Sequence, residues 1–250
     1  MEKKFLLEVC CGSVDDAIEA QKGGADRVEL NSSIFFGGLT PSIGAIIEAK
    51  KVLDIPVIAM IRPRGGGFCY TEREMAAMEH DTELAVEYGA DGIVFGILHE
   101  DGTVDEKRCE RIIKKAGDRE VVFHRAIDVA PDPFKALDTL IDLGVKRVLT
   151  AGQENTLAEG IDMIRRMVEY AAGRIEILPG GGTPGNVLDA IAKTGCSQIH
   201  MASFATRYDK STTNRPDIYF GFALWPPEDR YELTNRKIVN EVKEKLIKGV

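Results

Sequence analysis

The chain has 250 residues, 44% of them hydrophobic, and a formal net charge of −8. That length can bury one large core and suits a single α/β barrel as well as two small domains. The acidic balance argues against a nucleic-acid partner, which needs a basic surface, and no apolar run approaches the roughly 20 residues of a membrane span.

In chain order, Met1–Lys4 leads straight into a strand-like segment, FLLEVC from Phe5, without the h-region or small-residue cleavage site of a signal peptide. Ser13-x-x-Asp16 then reads as a capping box, whose side-chain oxygens satisfy first-turn amides. GGADRVEL from Gly23 ends that helix and gives a second strand, and PVIAMI from Pro56 a third. Thr71-x-x-Glu74 is another capping box, and YGADGIVF from Tyr88 holds the fourth strand. EVVFHR from Glu120 is the fifth, followed by Asp132-Pro133, a cap with proline at the first helical position. LGVKRVLT from Leu143 and RIEILP from Arg174 supply strands six and seven; Thr183-Pro184 is read as the start of the seventh helix, and TGCSQIHM from Thr194 brings the eighth strand. The stretch at about 204–234 is irregular and reads as a long loop over one end, before a last helix from about Asn235.

Four of these segments repeat a pattern in which glycine ends a helix and a short apolar strand follows. Gly24, Gly89, Gly144 and Gly195 are spaced 65, 55 and 51 residues apart, about two βα units each. Strict alternation implies parallel strands with right-handed crossovers. A doubly wound open sheet is the alternative, but fourfold self-similarity favours closure into a single-domain (β/α)8 TIM barrel spanning 1–250.

Side chains alternate across a strand. If Leu7, Val9, Val28, Leu30, Ala59, Ile61, Val121, Phe123, Ile199 and Met201 pack outward on helices, then Glu8, Cys10, Glu29, Asn31, Met60, Arg62, His124 and His200 face the barrel axis. Barrel interiors are ordinarily filled by branched aliphatics. Inward charges therefore mean either a buried ion-pair network or a functional pocket at the C-terminal strand ends, and the pocket is the preferred reading. Glu8, Glu29, Arg62 and His124 are candidate catalytic residues, because carboxylates beside an arginine and a histidine can hold their pKa values apart for proton transfer. On that reading Glu8→Gln and His124→Asn should cost no more than about 1–2 kcal/mol of stability. Gly180, Gly181 and Gly182 after strand seven, with Ser203 after strand eight, lie where such barrels cradle anions on backbone amides. Arg64, in the basic loop after strand three, is a further anion-binding candidate.

Several motifs together resemble the CutC copper-homeostasis family, a family distinct from the choline-cleaving enzyme that shares its name. They are LEVCCGS at Leu7, GGADRVEL at Gly23, GGLTPS at Gly37, MIRPRGG at Met60, DGIVFG at Asp91, FHRAID at Phe123, RVLTAG at Arg147 and ILPGGG at Ile177. The resemblance runs from Phe5 to about Ser203 and implies a barrel, a cytoplasmic setting and an association with copper handling, with Cu(I) binding in some members. It makes cysteines after strands one and two the metal candidates. Cys10 matches the first of these positions, while Asn31 stands at the second.

Cu(I) favours thiolate, thioether and imidazole, and the inward set offers Cys10, Met60, His124 and His200. Cys11 points away from Cys10, Cys69 lies in the loop after strand three, and Cys109 and Cys196 read as buried small hydrophobes. An odd cysteine count without a signal sequence suggests reduced thiols in the cytoplasm. Two functions follow: a copper-associated protein without turnover, and an enzyme acting by acid–base chemistry on a small anionic or phosphorylated metabolite. The expected partners are correspondingly a copper ion or a small anionic ligand, and a homo-oligomer stays open.

Overall fold

The computed structural model describes residues 5–220 and 230–249. Eight parallel strands alternate with helices: β1 (Leu6–Cys11), α1 (Val14–Lys22), β2 (Arg27–Leu30), α2 (Ile43–Val52), β3 (Val57–Met60), α3 (Glu72–Glu87), β4 (Gly92–Phe95) and α4 (Glu106–Ala116). Then come β5 (Glu120–Phe123), α5 (Pro133–Asp142), β6 (Arg147–Thr150), α6 (Leu157–Ala171), β7 (Glu176–Pro179), α7 (Val187–Thr194) and β8 (Gln198–Met201). Each strand pairs with its neighbours in sequence, and β8 lies against β1. The last seam is closed by a parallel bridge between Gly180 and His200, so the sheet forms a barrel. No helix among the described residues is long and apolar enough to cross a membrane.

The repeated glycines do the local work expected of them. Gly24, Gly89, Gly144 and Gly195 all have positive φ, between 74° and 94°. After the first three, the next amide reaches back five residues to close the helix end: Ala25 to Ala20, Ala90 to Ala85 and Val145 to Leu140. Thr71 and Glu74 form a full capping box on α3, and Asp132 caps α5 ahead of Pro133. The seventh helix departs from expectation. Thr183-Pro184 opens a turn, and α7 begins only at Val187, because the Asn186 carboxamide accepts the Thr183 amide and the Thr183 carbonyl accepts that of Val187.

Strand parity divides the interior in two. Leu7, Val9, Val28, Leu30, Ala59, Ile61, Val121, Phe123, Ile199 and Met201 are buried in one cluster with helix residues such as Ile46, Met78, Ile112, Leu140, Met167 and Val242. A second, smaller apolar cluster of Ile58, Met60, Val94 and Val122 plugs the barrel itself.

The segment after β8 is more ordered than an irregular loop. Phe204–Tyr208 (β9) pairs antiparallel with Arg230–Thr234 (β10), Phe204 opposite Thr234 and Tyr208 opposite Arg230. The part of the expected loop at 221–229 lies outside the described residues. The base of the hairpin is pinned by the Asn235 amide donating to the Ser203 carbonyl at 2.7 Å and by the Thr234 amide donating to Asp16. α8 (Arg236–Lys248) then packs Val239, Val242 and Leu246 into the main core.

Candidate functional site

Seen from the N-terminal ends of the strands, the first inward residues form a polar base. Arg27 donates to Glu8 and, at 3.3 Å, to Gln198. Arg147 donates to Gln198 at 3.1 Å, to Glu176 at 2.8 Å and to Glu120 at 3.2 Å. Both arginines are buried, so the base is a buried ion-pair network, built on two arginines outside the inward set expected from the sequence. The same alternation that turns Glu29 inward turns Arg27 inward, two residues earlier, so the signal was available.

Glu8 is the link between this base and the mouth. One carboxylate oxygen takes Arg27; the other meets His200 Nδ1 at 2.8 Å. Burial works against its charge, yet His200 and Arg27 outweigh burial and hold the carboxyl down at about 2. Burial likewise disfavours the imidazolium of His200, but the bond to Glu8 and the charges of Glu29 and Glu8 raise its pKa above the ordinary 6.5. Glu8 and His200 are thus a buried ion pair.

Above them, at the ends of β1, β2 and β8, ligand atoms of Cys10, Glu29 and His200 lie within 4.8 Å of one another. With Nδ1 engaged by Glu8, Nε2 is the nitrogen His200 has to offer there. Burial pushes the Cys10 thiol well up, helped by the negative charge of Glu29, and burial also raises Glu29. Asn31, at the position where the family resemblance expects a second cysteine, donates its amide to Glu29 Oε2 at 2.9 Å and to Cys10 Sγ at 3.5 Å. It braces two of the three groups.

The opposite side of the mouth is built by β3 and β5. Arg62 is buried, with Nη1 donating to the carbonyls of Phe36 (2.8 Å) and Gly38 (3.1 Å) and Nη2 to that of Gly66 (2.8 Å). His124 is buried with Nδ1 accepting the Ala126 amide at 3.1 Å. It is not among the clustered ligand atoms, where Glu29 stands instead. Met60 lies in the apolar plug with Ile58, Val94 and Val122.

The expected anion cradle is closed. The Gly181 and Gly182 amides donate to the His200 carbonyl at 3.1 and 2.9 Å, and that of Gly180 to Thr150 at 2.8 Å. These glycines continue the β7 ladder across the barrel seam, and a Cβ on Gly182 would lie 2.9 Å from Ile199; they serve closure and packing. Ser203 anchors the hairpin through its carbonyl. Arg64 is also engaged: its guanidinium bonds Glu74 at 2.6 Å and the carbonyls of Gly67 and Cys69, and stacks on Tyr70. Among the remaining cysteines, Cys11, Cys109 and Cys196 are buried and Cys69 is exposed. Phe68 and Tyr70, which border Arg62 and His124, come from the loop after β3, where strand alternation says nothing.

A family model described as the CutC family matches residues 5–205. A family protein CutC of Treponema denticola is 55% identical over 232 residues, covering 92% of this chain and 94% of that protein. The copper homeostasis protein cutC homolog of Homo sapiens is 42% identical, covering 92% of this chain and 85% of its own. The crystal structure of the CutC protein of Streptococcus agalactiae superposes with a TM-score of 0.76 at 40% identity, over 79% of this chain and 98% of that one.

Proposed function

This chain belongs to the CutC family, and from that premise we propose that it serves copper homeostasis by binding Cu(I) at the β1–β2–β8 side of the barrel mouth. The observation that carries the proposal is the convergence of Cys10, Glu29 and His200 within 4.8 Å. A thiolate and an imidazole suit Cu(I), while the Glu29 carboxylate is a harder donor that also suits Zn²⁺. Glu8 on the far nitrogen of His200 is the arrangement by which proteins orient a ligating imidazole. Cys10 and His200 Nε2 would each shed a proton on ligation, as metal binding requires. Reduced thiols fit a cytoplasmic setting.

The acid–base reading of Glu8, Glu29, Arg62 and His124 finds less support, since both oxygens of Glu8 are engaged by Arg27 and His200. Competition against a Cu(I) chelator under reducing conditions tests the copper site. Cys10→Ser and His200→Asn should each weaken binding by about tenfold or more, while Cys109→Ser should not change it. Unchanged affinity in Cys10→Ser places copper elsewhere and overturns the proposal.

A further inference from the structure

We infer that the other side of the mouth, where β3 and β5 end, binds a small organic oxyanion between Arg62 and His124. Arg62 is 7% exposed, and its hydrogen-bond partners are all neutral carbonyl oxygens. Among the described residues no carboxylate pairs with it, and its Nε–H is buried with no acceptor. A buried cation without a counter-ion is costly and calls for one.

His124 supplies the second donor. Because Nδ1 accepts the Ala126 amide, a neutral ring must carry its proton on Nε2. That Nε2–H is also buried without an acceptor. Burial first, then the charge of Arg62, hold the ring neutral, with a pKa of about 3. The two donors share a wall: the Phe68 ring lies 4.9 Å from the His124 ring and 5.3 Å from the Arg62 guanidinium carbon. Tyr70, whose hydroxyl is buried, borders Arg62. Behind the imidazole, Gly96 leaves room that a Cβ, 2.3 Å from Cε1, would take away.

A metal ion does not fit this place. The lone pair of His124 is spent on Ala126, and Arg62 repels cations. A carboxylate or phosphate group accepts from both N–H donors and neutralises the arginine. The site is therefore separate in chemistry from the Cys10–Glu29–His200 group.

The test is isothermal titration of the full metal-free chain with inorganic phosphate, glycolate and phosphoglycolate. Saturable binding of at least one is expected. Glycolate without phosphate marks a carboxylate site, and phosphate without glycolate a phosphate site. Arg62→Gln and, as a milder second variant, His124→Asn should each weaken binding by about tenfold or more, the worth of a charge-assisted hydrogen bond. Cys10→Ser should bind the oxyanion as the parent does, which separates this result from the fate of the copper site. No saturable binding of any of the three at millimolar concentration overturns the inference, as does binding that survives both substitutions.

Discussion

His124 shows how one backbone amide decides what a side chain can be. The Ala126 N–H fixes the tautomer, burial and Arg62 keep the ring neutral, and the remaining N–H is left as a buried donor without an acceptor. Neutrality carries a pH signature. The folded pKa of about 3 lies below the ordinary 6.5, so between these values the unfolded chain binds the extra proton. Stability from this residue is complete above 6.5 and is lost as pH falls toward about 3. Denaturant unfolding at several pH values should show the parent losing stability on acidification already between 6.5 and 4.5, before ordinary carboxylates protonate, and His124→Asn losing less there. Parallel curves for the two proteins would contradict a buried neutral histidine. The inward aim of His124 is legible from apolar Val121 and Phe123 alone, because parity needs only alternation. Its tautomer is not, since it depends on a short 3-10 turn at Arg125–Val129 whose geometry no periodicity encodes.

At the level of elements, cap chemistry is read well where side chain and backbone agree. The Thr71–Glu74 box is one such case, with both reciprocal bonds present. Thr183-Pro184 looks equally good as a sequence and fails, because Asn186 captures the Thr183 amide and delays the helix to Val187. The contrast is measurable. Thr71→Ala should cost about 1 kcal/mol, the usual worth of an N-cap, whereas Thr183→Ala, at an exposed turn residue, should stay within about 0.5 kcal/mol of the parent. Equal losses would mean that Thr183 caps a helix after all. The β9–β10 hairpin escaped the sequence for a different reason. Its strands bury little: Tyr208 and Tyr231 are exposed, so no inward face imposes the alternation that revealed the eight barrel strands.

For the whole molecule, the notable feature is a barrel whose base is held by charge where such interiors are ordinarily aliphatic. Arg27, Arg147, Gln198, Glu120 and Glu176 interlock across β2, β5, β6, β7 and β8, and Glu8 carries that network up to His200. Sequence parity announced the inward charge and could not divide it between structure and function; that division depends on which partners meet across the barrel, and Glu8 falls on the structural side. Removing its charge leaves Arg27 buried against a neutral amide, so Glu8→Gln should cost about 3–5 kcal/mol, not the about 1–2 kcal/mol expected of a residue kept only for chemistry. The pH dependence supplies an independent check. The Glu8 carboxyl sits at about 2 in the fold against an ordinary 4.5, so its stabilisation is present above 4.5 and is lost as pH falls through that interval. His200 has the opposite sign: its pKa is raised above 6.5, so its contribution is complete below 6.5 and is lost as pH climbs through the raised value. The pair therefore supports the fold most between 4.5 and 6.5. Urea unfolding of parent and Glu8→Gln across this range should show the largest gap inside it and a narrowing gap on both sides. A gap that stays constant with pH, or a variant as stable as the parent, would show that Glu8 does not hold the base to the mouth.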